Sequence, residues 1–275
     1  MMEVSMLVTY RVLLAVHIVS ALAAVAAFWA AAVVKKGSAR HVRVGRIYVL
    51  TMVAMSMSAL GLSALNIAVP AAVHSLGEFR ARGAVLGADT TAATVDDLAR
   101  EFRLNAVWLT YAAVQLLIGL RFGTQVVRMR RIGGLGLRLD AVLAVIVALS
   151  GLGLTVAGAL VAHPLITAFG VMGALSGGRR LVVLLRPSSS PMAWWYEHMG
   201  TLLGTGVPLH VTFLLAVGRH LPGPAGPWRV ALSSVVMLGL PAIVIWIRRY
   251  RKKFEPGSSP ALAAGRRRAS APQPV

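Results

Sequence analysis

The sequence predicts an all-α integral membrane protein, a helical bundle of about seven transmembrane helices with the N-terminus outside and the C-terminus inside. Three observations carry this prediction. Hydrophobic residues make up 57% of the 275-residue chain and charged residues only 13%, with a mean hydropathy of +0.73. A soluble domain carries roughly 25% charge and 45–50% apolar residues. The apolar residues also gather in runs of the length a helix needs to cross a bilayer, about 20 residues. Between the runs, basic and acidic residues fall in alternate segments, which is the pattern that orients spans with their cations inside.

The first run, 9–34, is longer than a signal-peptide core and ends in cations, not in a small-residue cleavage site. It reads as a span and not as a secretory leader. Lys35–Tyr48 (KKGSARHVRVGRIY) is a basic inner loop that leads into the second span, 47–72. The only long external segment is 73–103. Within it Thr94 predicts an N-cap, with Asp96 and Asp97 in the first helical turn. Val95, Leu98 and Phe102 then predict a short amphipathic helix resting at the interface and running into the third span, 104–122.

The fourth span, 141–162, carries Gly151, Gly153 and Gly158, which predict close helix contact. The fifth, 165–185, is interrupted by Gly177, Gly178, Arg179 and Arg180; if the run stops at Leu175 it is short, tilted or partly re-entrant. The sixth, 193–218, opens on an aromatic belt, Trp194-Trp195-Tyr196. Pro208 there, and Pro241 in the seventh span, 229–247, predict kinks. Residues 1–254 thus form one transmembrane domain. The stretch 255–275, rich in Pro, Ser, Ala and Arg, is expected to be a disordered cytoplasmic tail whose Arg266–Arg268 lie on anionic lipid.

With the N-terminus outside, the inner segments hold Lys35, Lys36, Arg40, Arg43 and Arg46, then Arg121, Arg128, Arg130, Arg131 and Arg138, then Arg179, Arg180 and Arg186, and finally the cations after Trp246. Glu3, Glu78, Asp89, Asp96, Asp97 and Glu101 fall outside. One wrongly placed span would scramble this alternation. The same distribution removes nucleic acid as a partner, because the net charge of +19 is spread between apolar runs and the tail and not over one soluble face. The absence of cysteine excludes thiol catalysis, Cys-ligated metals and disulfides. The composition places the protein in a cell membrane, with the bilayer, anionic lipid at the basic face and membrane-protein partners or further copies of itself as its contacts.

Ionisable groups inside a bilayer are costly and mark candidate sites. On the apolar-run boundaries His17 and His210 sit at matching depth on the outer side of spans one and six, so the pair is a candidate for ligating a b-type haem or a metal, or for passing protons. The plainer alternative is two unrelated histidines, each bonded to a carbonyl or hydroxyl. His198 is the other candidate ligand. His74, His163 and His220 fall at outer span ends without i,i+4 spacing and suggest an outer metal site only weakly. At the inner face His41, Arg43 and Arg46 come close to Glu197 and His198 if spans two and six are neighbours, and Arg46 is the expected ion-pair partner of Glu197. Met52, Met55 and Met57 do not share one helical face and read as packing, not as a path for soft metal.

Taken together, His17, Lys36-Gly37, His41, Gly45-Arg46-Ile47-Tyr48, Phe169–Gly173, Trp195, His198-Met199, Trp228 and Trp246–Phe254 resemble an uncharacterised family of bacterial polytopic membrane proteins with a KG…H…GR.Y signature. The resemblance runs to about Phe254, excluding the outer loop and tail, and implies a multi-pass protein of the bacterial inner membrane. It carries no activity. By resemblance His17, His41, Arg46 and His198 occupy motif positions; His210 does not, standing in His210-Val211-Thr212-Phe213 where a small Thr-Ala-Phe run is expected. The sequence therefore leaves three readings: a histidine-lined site holding haem or metal for electron transfer or sensing, a small-solute permease or channel, and an assembly subunit of a membrane complex. No nucleophile, metal motif or acidic pair favours an enzyme.

Overall fold

The computed structural model describes residues 2–78, 94–129, 138–161, 163–186, 190, 192–218 and 225–254. The expected tail, the loop portion 79–93, His220 and Arg130–Arg131 lie outside the described residues. Among the described residues 93% are helical and none is in a strand, as the sequence predicts. The helices are α1 (Met2–Val33), α2 (Ala39–Ala68), a single turn α3 (Pro70–Val73), α4 (Val95–Met129), α5 (Arg138–Leu160), α6 (Pro164–Leu185), α7 (Ala193–Gly218) and α8 (Ala225–Phe254). Five of them, α1, α2, α4, α5 and α6, are long and apolar enough to cross a membrane.

The basic segment Lys35–Tyr48 is mostly helix and not loop. Lys36 donates from Nζ to the Ala31 and Ala32 carbonyls at 2.7 Å each, closing the C-terminus of α1. Gly37 follows with φ +78°, a left-handed conformation that a Cβ disfavours. Ser38 then caps α2, its Oγ accepting from the His41 N–H at 3.2 Å. The Lys-Gly-Ser run is thus a helix stop, a reversal and a helix start in three residues. It folds α1 back along α2, and the two pack together over most of their length.

At the other end Thr94 caps α4 as predicted: its N–H and Oγ1–H both reach Asp97 Oδ2, at 3.0 and 2.8 Å, and its Oγ1 accepts from the Asp97 N–H. The expected interfacial helix is the first turns of one continuous 35-residue helix. Its apolar residues Leu98 and Phe102 are buried in protein and not laid on lipid. Phe102 stacks on His74, whose ring meets Tyr10 edge-on. Likewise Gly177, Gly178, Arg179 and Arg180 do not interrupt the fifth run: α6 is an unbroken 22-residue helix.

Contacts between distant segments set the order of packing. The α1–α2 hairpin packs through α2 on α4, α4 packs on α7, and α7 on α8. A core of Ala24, Ala27, Tyr48, Met52, Met55, Leu120 and Leu209 joins α1, α2, α4 and α7. Met52 and Met55 belong to it while Met57 is exposed, which fits the packing role. The α5–α6 hairpin is the most closely packed pair in the molecule and meets the remainder mainly along α4. Its closeness comes from glycine: a Cβ on Gly151 or Gly158 would strike α6, and one on Gly170 or Gly177 would strike α5. Gly153, by contrast, faces open space. The outer faces of α1 and α5 remain covered in exposed apolar side chains such as Val12, Val19, Leu149 and Val156. The residues around the α1–α2 turn, the C-termini of α4, α6 and α8 and the N-termini of α5 and α7 all gather at one end, the basic end.

Candidate functional site

The histidine pair does not form. His17 bonds through Nδ1 to the Met55 carbonyl at 3.0 Å, beside the Ser58 hydroxyl, and so ties α1 to α2. His210 donates from Nδ1 to the Gly206 carbonyl at 2.7 Å, so its Nε2 is the acceptor of the Trp29 Nε1–H at 3.0 Å. Both of its ring nitrogens are thereby used. Trp29 lies twelve residues beyond His17, about 18 Å along α1. The matching depth fails because α1 is offset along α7, so that Phe28 and not the middle of the apolar run faces Gly206. His198 is also a structural clamp, bonding from Nδ1 to the Gly123 carbonyl of α4 at 2.8 Å. It has His41 as an electrostatic neighbour, while Arg43 and Arg46 are exposed.

The expected Arg46–Glu197 pair is replaced. Glu197, 4% exposed, takes Arg179 Nη2 on Oε1 at 2.6 Å, because α6 and not the start of α2 presents its cations to the buried face of α7. His74 donates from Nε2 to Asn66 Oδ1 at 2.8 Å, and His163 is the N-cap of α6. Among the described residues no three His, Cys, Asp or Glu side chains come close enough to hold a metal ion.

What the structure does assemble is a polar seam where the α5–α6 hairpin meets α4 and α7. Tyr111, Gln115 and Gly119 recur every four residues and so share one face of α4. Tyr111 donates to the Val147 carbonyl of α5 at 3.3 Å, and Gln115 Nε2 donates to Ser176 Oγ of α6 at 3.2 Å. Next along the seam comes Arg180, 7% exposed, with Phe122 at 5.9 Å from its guanidinium carbon. Its Nη2 occupies the space a side chain at Gly119 would take: a Cβ there would lie 3.0 Å from it and 3.1 Å from Thr205 Cγ2 of α7. At the basic end the seam closes with two ion pairs, Arg179–Glu197 and Arg121–Asp140, the latter at 2.9 Å with Asp140 5% exposed.

The hydroxyl of the same Thr205 donates to the Leu202 carbonyl at 2.7 Å, so the Tyr48 hydroxyl is the donor in their 2.9 Å contact. That bond locks α2 to α7. In the sequence Arg180 reads only as an inner cation that interrupts the fifth run and Asp140 only as an inner acid, and Tyr111, Gln115 and Ser176 are not singled out. The signal that was available is the i, i+4, i+8 recurrence of Tyr, Gln and Gly in an otherwise apolar run. Comparison with family models, with curated proteins and with solved structures gave no match.

Proposed function

We propose that this chain is a small-solute permease or channel of the bacterial inner membrane, with the seam between the α5–α6 hairpin and α4 and α7 as its path. The topology that goes with it is seven spans with the N-terminus outside. The 26 and 30 residues of α7 and α8 are long enough for the sixth and seventh spans, and the crowding of Lys and Arg at one end supports that end being cytoplasmic, against anionic lipid. The resemblance to the uncharacterised KG…H…GR.Y family belongs to the same proposal.

The single observation that carries the reading is the row Tyr111, Gln115, Ser176 and Arg180 inside an apolar bundle. Polar groups at membrane depth are costly and line either a bundle interior or a water path. Among the described residues these stand at a boundary where helix packing is thin, not within the tightly packed pairs. A two-histidine haem site has no comparable support, because His17, His198 and His210 each hold a different helix contact.

The lack of native cysteine gives a clean test. Q115C and S176C are reconstituted in proteoliposomes and treated with a charged, membrane-impermeant methanethiosulfonate, with L149C on the apolar outer face of α5 as the control. The expected result is that both seam thiols react, L149C does not, and modification blocks solute flux followed by light scattering with glycerol, urea and acetate. Unreactive seam thiols in folded protein, or flux no greater than in protein-free vesicles for every solute, would overturn the proposal.

A further inference from the structure

The seam carries an uncompensated charge. Among the described residues its ionisable groups are Tyr111, an uncharged phenol, and Arg179, Arg180 and Glu197, together with the Arg121–Asp140 pair, which is neutral. Glu197 is the electrostatic partner of both tandem arginines, but its hydrogen-bonded contact is to half-exposed Arg179 through Oε1, and Arg180 Nη1 and Glu197 Oε2 are each buried with no hydrogen-bond partner among the described residues. Two guanidiniums against one carboxylate leave the site one positive charge in excess. A guanidinium does not shed its proton in a protein. Water can satisfy the N–H groups but leaves the charge, and a buried charge without a counterion is strongly unfavourable. The Phe122 ring, at 5.9 Å, offers only a weak cation–π contact.

The surroundings make room for the guanidinium. Gly119 leaves the space on α4 that Arg180 fills, and Thr205 bounds it on α7. Nearby Gln115 supplies a further amide donor, one turn along α4, while the Ser176 hydroxyl accepts from Gln115 and donates to the Gly173 carbonyl. We propose that Arg180 forms a binding site for a small monovalent carboxylate or oxyanion, held between α4, α6 and α7 and balancing the excess charge of the Arg179–Arg180–Glu197 group. Burial at 7% exposure restricts the ligand to a few heavy atoms. The inference names the ligand class of the seam proposed above as a solute path. It depends on that reading only for the seam's access to water.

The test is equilibrium binding, so it stands or falls apart from flux. The full-length protein in a neutral detergent is titrated with sodium acetate, nitrate or gluconate at constant ionic strength, and the thermal unfolding midpoint is recorded. A ligand that binds only the folded state raises that midpoint. Acetate and nitrate are expected to raise it saturably, and gluconate, which is too bulky, is not. R180Q removes the unbalanced charge, so it is expected to fold at least as well as wild type in anion-poor buffer and to lose the response. E197Q raises the excess charge and is expected to strengthen acetate binding roughly tenfold. The same anion chemistry is presented by a lipid phosphate, so a parallel arm adds phosphatidylglycerol, which like gluconate is too bulky for the site: a rise with the lipid and none with acetate or nitrate overturns the proposal. A flat wild-type response in every arm, or a response that survives in R180Q, overturns the proposal. Flux without acetate binding would refute the anion site and leave the permease reading intact; binding without flux would do the reverse.

Discussion

Replacing Gly177 and its neighbour Gly178 by alanine, one at a time, tests the account of the α5–α6 hairpin with opposite signs. A Cβ on Gly177 would lie 2.5 Å from Ala148 N and 2.7 Å from the Ala144 carbonyl oxygen, against an ordinary contact of 3.4–4 Å. Both obstacles are backbone atoms of α5, so no side chain can turn aside. The helices must part by about 1 Å, a gap that forfeits a quarter to a half of the dispersion energy of each contact it opens. Overpacking of this kind costs about 1–3 kcal/mol. Gly178 is 100° round the helix and a Cβ there meets nothing within 4 Å. Alanine at that point relieves only the entropic weakness of a helical glycine, a gain of about 0.5–1 kcal/mol. The two neighbours should therefore differ by about 1.5–4 kcal/mol in equilibrium unfolding from mixed micelles, with wild type between them. Shifts of the same sign, or G177A as stable as wild type, would refute the glycine-seam account. Gly151 and Gly153 on α5 offer the same contrast and should repeat it.

At the α1–α2 turn, G37A forces a Cβ into the left-handed conformation and should cost about 1–2 kcal/mol, seen as faster amide exchange in the last turn of α1. Burial holds the Lys36 ammonium below its ordinary 10.5, so the folded chain loses that proton before the unfolded one does. This group's contribution to stability is then flat at neutral pH and rises as pH climbs from the lowered value toward 10.5, a slope that K36Q should abolish in unfolding midpoints compared between neutral pH and about pH 10. R121A leaves the buried Asp140 carboxylate without its partner and should destabilise by about 3–5 kcal/mol, with D140N/R121A together recovering much of the loss. Y48F removes the donor to Thr205 but leaves the Thr205 hydroxyl its own acceptor at Leu202, so unfolding should show a loss of only about 0.5–1.5 kcal/mol.

The helices were legible in the sequence because length and apolar content are local properties. So was the Thr94 cap, which is local too. What failed was register between helices. The midpoint of an apolar run locates a helix only to within its overhang, and the seating of Phe28 and Trp29 against Gly206 and His210 separates His17 from His210. Partner choice failed for a related reason. Arg46 and Arg179 both qualify as basic neighbours of Glu197 on a topology diagram, and only the facing of α6 toward α7 decides for Arg179. The interruption expected at Gly177 and Gly178 within 165–185 does not occur: these glycines weaken a lone helix, whereas here Gly177 permits the closest helix packing among the described residues.

The tandem Arg179-Arg180 shows why the site was hidden in plain view. Any cation near the end of a span counts toward orientation, and the count is the same whether the side chain reaches water or turns inward. Successive residues on a helix point about 100° apart. Two adjacent arginines at the rim of α6 therefore cannot share one environment: Arg179 is half-exposed and meets Glu197, and that direction leaves Arg180 to enter the bundle. The helix geometry leaves one of them half-exposed and the other buried in the bundle, and it is for the second that the anion is proposed above. A basic pair at the end of an apolar run, followed in space by a glycine on the neighbouring helix, is thus a pattern with two meanings. The glycine distinguishes them, because a cation bound for water requires no vacancy in the adjoining helix, and Arg180 fills the one at Gly119.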